Sequence, residues 1–296
     1  MKSFEPQDLD LKERHQLLLG AVAPRPIAFA STIDKAGNPN LSPFSFFNIF
    51  SSNPPTLIFS PARRGRDNTV KHTLENVMEV PEVVVNIVSY SILNQMVLTS
   101  TEYDRDVNEF ERSALTPIDS IKVKPFRVKE AKAQLECVVK DIIHLGKEGG
   151  AGNLVICEVV YVHIDESVLK ENGRIDPVKM DQVARLAEGY YCRVSEGIFE
   201  VAPPRGTNNL GMDGLPAWIR ESRHFTANEL ARLAKATHLP SEAEVEMVRH
   251  STGMKEIYEK YGHDGVMLES KLHNLAKNLI AEGKEDEALR ILMSNK

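Results

Sequence analysis

Several features that mark common classes of protein are missing from this sequence of 296 residues. It has only three cysteines, Cys137, Cys157 and Cys192, which lie far apart and form no CxxC pair. A zinc site built from them is therefore not expected. Because their neighbours are apolar, we predict reduced thiols in the core of a cytoplasmic protein.

The sequence also lacks an excess of basic residues and any long apolar run. Its formal net charge is −6, which argues against a nucleic-acid-binding role and means that any anion site must be built locally from clustered cations. No apolar run approaches the roughly 20 residues of a membrane span. The N-terminal stretch is charged throughout and has no apolar core of a signal peptide. We therefore expect a cytoplasmic location and no membrane partner.

Three well-known site motifs are absent as well. The sequence contains no GxGxxG, no P-loop and no HExxH, and its nine histidines are scattered. A Rossmann dinucleotide site and metal catalysis are accordingly not predicted. We assign no metal ligands and no catalytic acid–base pair.

Several β-type runs follow one another with few helices between them. The segment Gly37-Asn38-Pro39 predicts a hairpin turn after the first run, and Asn53-Pro54-Pro55 interrupts the chain again. Sequential antiparallel strands at this spacing favour a mainly β fold, a small closed barrel with peripheral helices, over a doubly wound sheet. The main predicted strands are Ile27–Thr32, Thr56–Ser60, 82–90, Leu135–Leu145 and 153–165.

The composition changes after a linker rich in proline and glycine at residues 203–206. Everything beyond it has helical patterning, with capping boxes at Thr226–Glu229 and Ser241–Glu244. The last stretch predicts two antiparallel helices joined at Gly283. We therefore divide the chain into a barrel domain, residues 1–203, and an α-helical C-terminal extension, residues 204–296.

A cationic segment follows the second strong strand. It places five cationic or potentially cationic groups within ten residues, interleaved with two hydroxyl groups: Arg63, Arg64, Arg66, Thr69, Lys71, His72 and Thr73. A phosphate group suits such donors, and a helix beginning near Asn68 or Thr69 would add free N–H groups. The alternative is a solvated basic loop in front of a capped helix.

Short polar residues alternate with aromatic rings just before that strand. In the segment LSPFSFFN, Ser42, Ser45 and Asn48 alternate with three phenylalanines, one of which is Phe46. A flat ring system would suit the aromatic side chains, and asparagine can both donate and accept along a ring edge. With a phosphate site nearby, the order of the chain indicates FMN. The alternative is an ordinary strand whose phenylalanines belong to the core.

The same region resembles a known family. The motifs PIAFASTID, NLSPFSFFN, NPPTLIFSP and KHTLENV, followed by VVVNIV, are similar to the flavin reductase-like family of FMN-binding split barrels, and within it to the flavoredoxin-type branch. The resemblance covers about residues 15–200. It implies an antiparallel split β-barrel that forms a homodimer and binds FMN in a cleft at the subunit interface.

The resemblance also nominates individual residues. SPFSFFN corresponds to the strand and turn against the flavin ring and ribityl chain, which implies Ser42, Ser45, Phe46 and Asn48 as cofactor-binding residues. KHT implies Lys71 and Thr73 for the phosphate or the ribityl chain, although His72 replaces the acid that many relatives have. Residues 185–191, RLAEGYY, resemble a pattern near the family's cofactor cleft, but Ala187 and Glu188 replace its glycines.

Family members reduce flavin with NAD(P)H or relay electrons through bound FMN. The resemblance therefore implies an oxidoreductase in which hydride passes from the nicotinamide to flavin N5, while the polypeptide binds and orients the ring. Two alternatives stay open: an FMN electron carrier that serves a protein partner, and a module that binds FMN without turnover. The sequence does not choose between NADH and NADPH or name the final acceptor.

Overall fold

The computed structural model describes residues 1–201, 203 and 208–295. It divides into two compact units, Met1–Phe199 and Glu200–Lys296. The sequence places the boundary between residues 203 and 204. Most of that predicted linker, residues 204–206, lies outside the described residues, so each unit is described separately.

A seven-stranded antiparallel sheet dominates the N-terminal unit, in the order β2-β1-β5-β8-β9-β4-β3. Two small two-stranded sheets, β6-β7 and β10-β11, accompany it. The strands are β1 Ala28–Ile33, β2 Pro39–Phe44, β3 Phe47–Ser52, β4 Pro55–Phe59, β5 Glu82–Ile87, β6 Pro117–Ile118, β7 Arg127–Val128, β8 Ala133–His144, β9 Asn153–Ile164, β10 Val183–Arg185 and β11 Tyr191–Arg193.

The large sheet curls without closing into the barrel that the sequence predicts. Its edge strands are β2 and β3, and no pairing joins them within the described residues. Only Ser45 and Phe46 separate the end of β2 from the start of β3. Because three residue steps span at most about 11 Å, the two edges must come close at this turn. The expectation of a closed barrel is therefore wrong, since the two edges meet at a turn rather than along a hydrogen-bonded ladder.

The prediction of a mainly β fold is also wrong, because the described residues are 34% helix and 23% strand. Because the C-terminal unit is helical, the helix content exceeds the strand content, and the fold is mixed. The helices of the N-terminal unit are α1 Leu11–Ala21, α2 His72–Glu79, α3 Leu93–Leu98, α4 Glu109–Ser113 and α5 Pro177–Met180.

Strand β1 lies inside the sheet, and all six of its residues are buried. Ala28 and Ala30 belong to one core cluster, which also contains Leu74 of α2, while Phe29 belongs to a second cluster with Phe110 of α4. Alternate side chains of a strand point to opposite faces, so β1 fixes α2 and α4 on opposite sides of the sheet. The hairpin predicted after β1 is confirmed, with Gly37 at φ +90° in its turn.

The cysteines are free thiols. Cys137 on β8 and Cys157 on β9 are fully buried in the first core cluster, as predicted. Cys192 on β11 is only half-buried, so the prediction of a core position is wrong for this residue. The short strand β11 pairs with β10 outside the large sheet, and all three of its residues are half-buried.

The C-terminal unit is helical and has its own core, in which Leu233, Leu272, Ile280, Leu289 and Leu292 are almost completely buried. Both predicted capping boxes are present, and Gly283, at φ +78°, joins the last two helices. Within the described part of the chain, no helix is long and apolar enough to cross a membrane. The helices are α6 Ala217–Arg220, α7 Ala227–Leu233, α8 Glu242–Arg249, α9 Thr252–Tyr261, α10 Gly265–Ala281 and α11 Glu285–Met293.

Candidate functional site

A polar cleft opens in the N-terminal unit where β2, the start of α2 and the loop between α3 and α4 meet. We call residues 99–108 the α3–α4 loop. The cleft brings together four of the predicted site residues, Ser42, Lys71, His72 and Thr73. Its other lining residues are Asn40, Arg64, Thr99, Ser100, Thr101, Glu102, Tyr103 and Glu109.

One wall of the cleft is built by the junction of β2 and α2. Thr73, in the first turn of α2, is buried, and its hydroxyl oxygen accepts a hydrogen bond of 2.9 Å from the Asn40 amide. Lys71 is the N-cap of α2 but forms no side-chain cap, and its ammonium group lines the cleft, where it donates to Glu102. This wall therefore presents a cation and two polar side chains side by side.

Helix α2 begins later than the sequence predicts. Its first residue is His72, whereas the expected start was Asn68 or Thr69. Asp67 accepts hydrogen bonds from both the backbone N–H and the hydroxyl of Thr69, and Asn68 adopts φ +58°. This local turn competes with the helix, as Asp side chains commonly do.

Three cations converge on one carboxylate at the rim of the cleft. Glu102 of the α3–α4 loop accepts from Arg64 and Lys71 at 2.9 Å each through Oε1, and its Oε2 lies 2.7 Å from Arg66. Arg66 also pairs with Asp67 at 3.0 Å. A hydrogen bond from Lys71 lowers the pKa of Glu102, so its carboxylate is charged at neutral pH.

Two residues of the predicted cationic cluster stabilise the turn before α2 rather than line the cleft. The Arg63 guanidinium donates to the side chain and backbone oxygens of Asn68. The Thr69 hydroxyl donates to Asp67 and accepts from Arg64 at 2.9 Å. Arg63 and Thr69 therefore shape the segment that carries Lys71.

The imidazole of His72 does not contribute a positive charge to the predicted cationic segment. Burial lowers the pKa of His72 below its usual value, and neighbouring cations, among them Arg105 and Arg64, add to this effect. His72 is therefore neutral near pH 7 and offers the cleft a hydrogen-bonding group instead of a positive charge.

A second carboxyl group, that of Glu109 at the start of α4, lines the cleft and is almost completely buried. Its oxygen accepts a hydrogen bond of 3.2 Å from the backbone N–H of Leu41. Burial raises the pKa of Glu109. Sequence reasoning missed this residue and Glu102, because each reaches the site from a distant part of the chain.

The predicted aromatic segment lies around the turn between β2 and β3. Phe44 packs in the core at 5.6 Å from the Phe59 ring, whereas Phe46 is 40% exposed, with His15 at 6.3 Å between ring centroids. The turn interrupts the alternation that the sequence suggests. Asn48 is exposed on β3, and its side-chain oxygen accepts from the backbone N–H of Ile49 at 2.8 Å.

Arg25, a residue that sequence reasoning missed, contacts the turn between β2 and β3 through Ser45. Its buried guanidinium donates to the carbonyl oxygens of Leu19, Val22 and Leu186 at 2.6–2.9 Å, and to the Ser45 hydroxyl at 3.5 Å. The flanking prolines were the only local signal. Burial lowers the pKa of Arg25, and the charge of Arg185 adds to this effect.

Arg25 also links the turn to the segment at residues 185–191. Arg185 forms a backbone bridge with Arg25, and its guanidinium carbon lies 4.4 Å from the centre of the Tyr191 ring. Glu188, which replaces a glycine in the family pattern, adopts φ +54°. This left-handed backbone conformation is typical of glycine, so the turn keeps a glycine-like backbone although Glu188 carries a side chain.

The donor set of the cleft fits the phosphate end of FMN. Lys71 and Arg64 supply charged N–H donors, and Ser42 and Thr73 supply hydroxyl groups in the same cleft. The rim carries three cations, Arg64, Arg66 and Lys71, against the carboxylates of Asp67 and Glu102. The exposed Phe46 ring at the adjacent turn offers an apolar surface of the kind a flavin ring requires.

Comparison with known proteins gives a family match in the N-terminal part of the chain. A family model described as "Flavin reductase like domain" matches residues 20–180. The structure of nitrilotriacetate monooxygenase component B from Bacillus cereus is 33% identical, with a TM-score of 0.64 over 68% of this chain and 98% of that one.

Two further structures share the fold. A putative flavin reductase with a split barrel domain from Shewanella frigidimarina is 28% identical, with a TM-score of 0.58 over 70% of this chain and 100% of that one. Flavoredoxin of Desulfovibrio vulgaris is 22% identical, with a TM-score of 0.52 over 63% of this chain and 93% of that one. The family match ends before the helical C-terminal unit begins.

Proposed function

The chain belongs to the flavin reductase-like family, and on that premise we propose that it binds FMN and acts as an NAD(P)H-dependent oxidoreductase. In this proposal, electrons pass from the nicotinamide through the flavin to a second flavin or another acceptor. The observation that carries it is the cleft of Lys71, Arg64, Thr73 and Ser42, which lies within the matched domain beside an aromatic turn.

Each part of the site has a role in holding the cofactor. Lys71 and Arg64 neutralise the phosphate, and the hydroxyls of Ser42 and Thr73 donate to the phosphate or ribityl oxygens. The turn that carries Ser45, Phe46 and Asn48 supports the ring. His72, being neutral, adds a hydrogen bond without adding charge.

When bound, FMN supplies the chemistry itself, because its N5 accepts a hydride and its ring holds the two electrons. The polypeptide needs no acid–base pair for this step. Its own residues bind and orient the cofactor, and a donor such as the Asn48 amide favours the charge that develops on the pyrimidine edge during reduction. Arg25 keeps the supporting turn in place through Ser45.

The first test is the visible spectrum of the purified full-length protein, in which we expect the bands of oxidised flavin. We also expect FMN to bind more tightly than riboflavin, because riboflavin lacks the phosphate that the cationic cleft would hold. Fluorescence titration with both ligands measures this difference. Equal affinities would show that the cleft is not a phosphate site.

A flavin-dependent electron carrier is the second candidate function. The helical C-terminal unit lies outside the family match and exposes large apolar side chains, among them Met247 and Val266, which could meet a protein partner. Addition of NADH or NADPH without air distinguishes the candidates. Rapid bleaching of bound flavin supports the reductase, whereas bleaching only by a protein donor supports the carrier.

We also propose that the protein is a homodimer with the flavin cleft at the subunit interface. The edge strand β3 exposes Ile49 and Phe50 by 62% and 63%, and β9 exposes the consecutive residues 160–162. An unpaired edge strand with exposed apolar side chains is typical of a surface that another chain covers.

The change Phe50→Glu is expected to convert the dimer into a monomer, because it places a charge in the proposed apolar interface. Sedimentation velocity measures the change. Met247→Glu, at a residue that is 76% exposed on the helical unit, is the matched control and should leave the assembly unchanged. A wild-type protein that sediments as a monomer while holding FMN tightly would contradict the proposal.

A further inference from the structure

The donors that would hold the phosphate already have an anionic partner within the chain. Arg64 and Lys71 both donate to Oε1 of Glu102 at 2.9 Å. The side chains of Arg64 and Lys71 are 12% and 30% exposed and that of Glu102 is 32% exposed, so solvent only partly screens this contact. The Glu102 carboxylate thus binds the same two cations that we assign to the phosphate of FMN.

Two of the three nitrogen atoms of the Arg64 guanidinium already have partners within the chain. Its Nη1 donates to the Thr69 hydroxyl and to the backbone oxygen of Val70, and its Nε donates to Glu102. The Nε contact is therefore the one that a ligand can exchange without breaking the turn before α2. A phosphate that takes this donor must displace the carboxylate or lie next to a like charge, which is unfavourable.

The α3–α4 loop is fixed on both sides of Glu102. Thr99 is buried and donates to the backbone oxygen of Met96 at 2.8 Å. On the other side, Arg105 pairs with Glu75 and donates to the Asn76 side chain at 3.2 Å, both on α2. Displacement of Glu102 therefore requires a change in its side chain and the adjoining residues, while the ends of the loop stay in place.

We propose that Glu102 is an internal competitor for the phosphate of FMN and thereby keeps the bound flavin exchangeable. The inference rests on the proposed function of the cleft. Riboflavin, which has no phosphate, leaves the Glu102 contacts intact, whereas the phosphate of FMN competes with the Glu102 carboxylate for Lys71 and Arg64 and is repelled by its charge. Glu102 thus reduces the difference in affinity between FMN and riboflavin. Weaker binding of FMN also favours its use as a substrate that dissociates after reduction.

The experiment compares the wild type with Glu102→Gln, which removes the charge and keeps the shape of the side chain. Asp106→Asn is the matched control, because Asp106 lies on the same loop but forms no ion pair with Arg64, Arg66 or Lys71 in the described part of the chain. Dissociation constants for FMN and riboflavin are measured by fluorescence titration, and that for inorganic phosphate by calorimetry.

In the Glu102→Gln variant we expect FMN to bind about three- to tenfold more tightly, the range for loss of one partly exposed charge beside the phosphate. Inorganic phosphate should gain affinity in the same direction, riboflavin should change by less than about twofold, and Asp106→Asn should match the wild type. Glu102→Ala is the second variant and should reproduce the gain, which guards against a fold defect in either one.

Unchanged or weaker FMN binding in both Glu102 variants overturns the inference, because Glu102 would then orient Lys71 for the ligand instead of competing with it. If the wild type binds no flavin, the proposed function fails, and the phosphate measurement still decides the role of Glu102. Tighter phosphate binding in the variants then supports the competitor, and its absence rejects it.

Discussion

Replacing Lys71 with alanine is expected to weaken FMN binding by about 1.5–3 kcal/mol, the range for a hydrogen bond to a charged group. This corresponds to a loss of affinity of roughly 10- to 150-fold. The ammonium group stands at the N-cap of α2 with its hydrogen bond directed to Glu102, so its removal leaves the helix start intact and takes one cation from the cleft.

Fluorescence titration with FMN measures the loss of affinity, and titration with riboflavin shows whether the phosphate is its cause. Riboflavin should bind to the Lys71→Ala variant nearly as it does to the wild type. Lys140→Ala is the matched control, because Lys140 pairs with Glu158 in the β8–β9 hairpin and lies outside the cleft. A loss that is equal for both flavins would assign Lys71 to the ring or the fold instead of the phosphate.

Replacing Arg25 with alanine is expected to lower the free energy of unfolding of the N-terminal unit by about 2–4 kcal/mol, since three carbonyl oxygens lose a charged donor. The same change releases Ser45 and should weaken flavin binding. Denaturant unfolding followed by circular dichroism measures the stability.

Two further variants test the cause of this loss. Arg25→Lys keeps the charge but not the planar set of donors, so it should restore only part of the stability. Arg14→Ala removes an arginine that donates to one carbonyl oxygen, that of Leu9, and should cost much less. If Arg25→Ala were as stable as the wild type, solvent would be replacing the guanidinium at all three acceptors.

The positions of the elements could be read from the sequence because their signals are local. The strands Ala28–Ile33 and Pro55–Phe59 lie within one residue of their predicted bounds, and both capping boxes of the helical unit are present. Closure of the sheet could not be read in this way. It depends on whether β2 and β3 pair along their length, and no local pattern records that relation.

In the candidate site, too, the residues within local motifs could be predicted from the sequence, whereas those brought in from distant parts of the chain could not. Ser42, Lys71, His72 and Thr73 meet in one cleft because β2 and α2 bring two short motifs together. Glu102 lies 31 residues from Lys71 in the chain, and nothing in its own neighbourhood marks it as a partner of the cationic segment. The start of α2 was misplaced for a different reason, since Asp67 closes a turn that helical periodicity does not reveal.

Under the proposed flavin chemistry, the two thiols in the middle of the large sheet, Cys137 and Cys157, are protected from oxidation. A flavin that is reduced in air yields hydrogen peroxide, which attacks thiolates far faster than thiols. Burial raises the pKa of Cys157 to about 12 and that of Cys137 well above its usual value, so neither ionises at neutral pH. Among the three cysteines, oxidation is therefore expected first at the half-buried Cys192, which lies outside the core clusters of the large sheet.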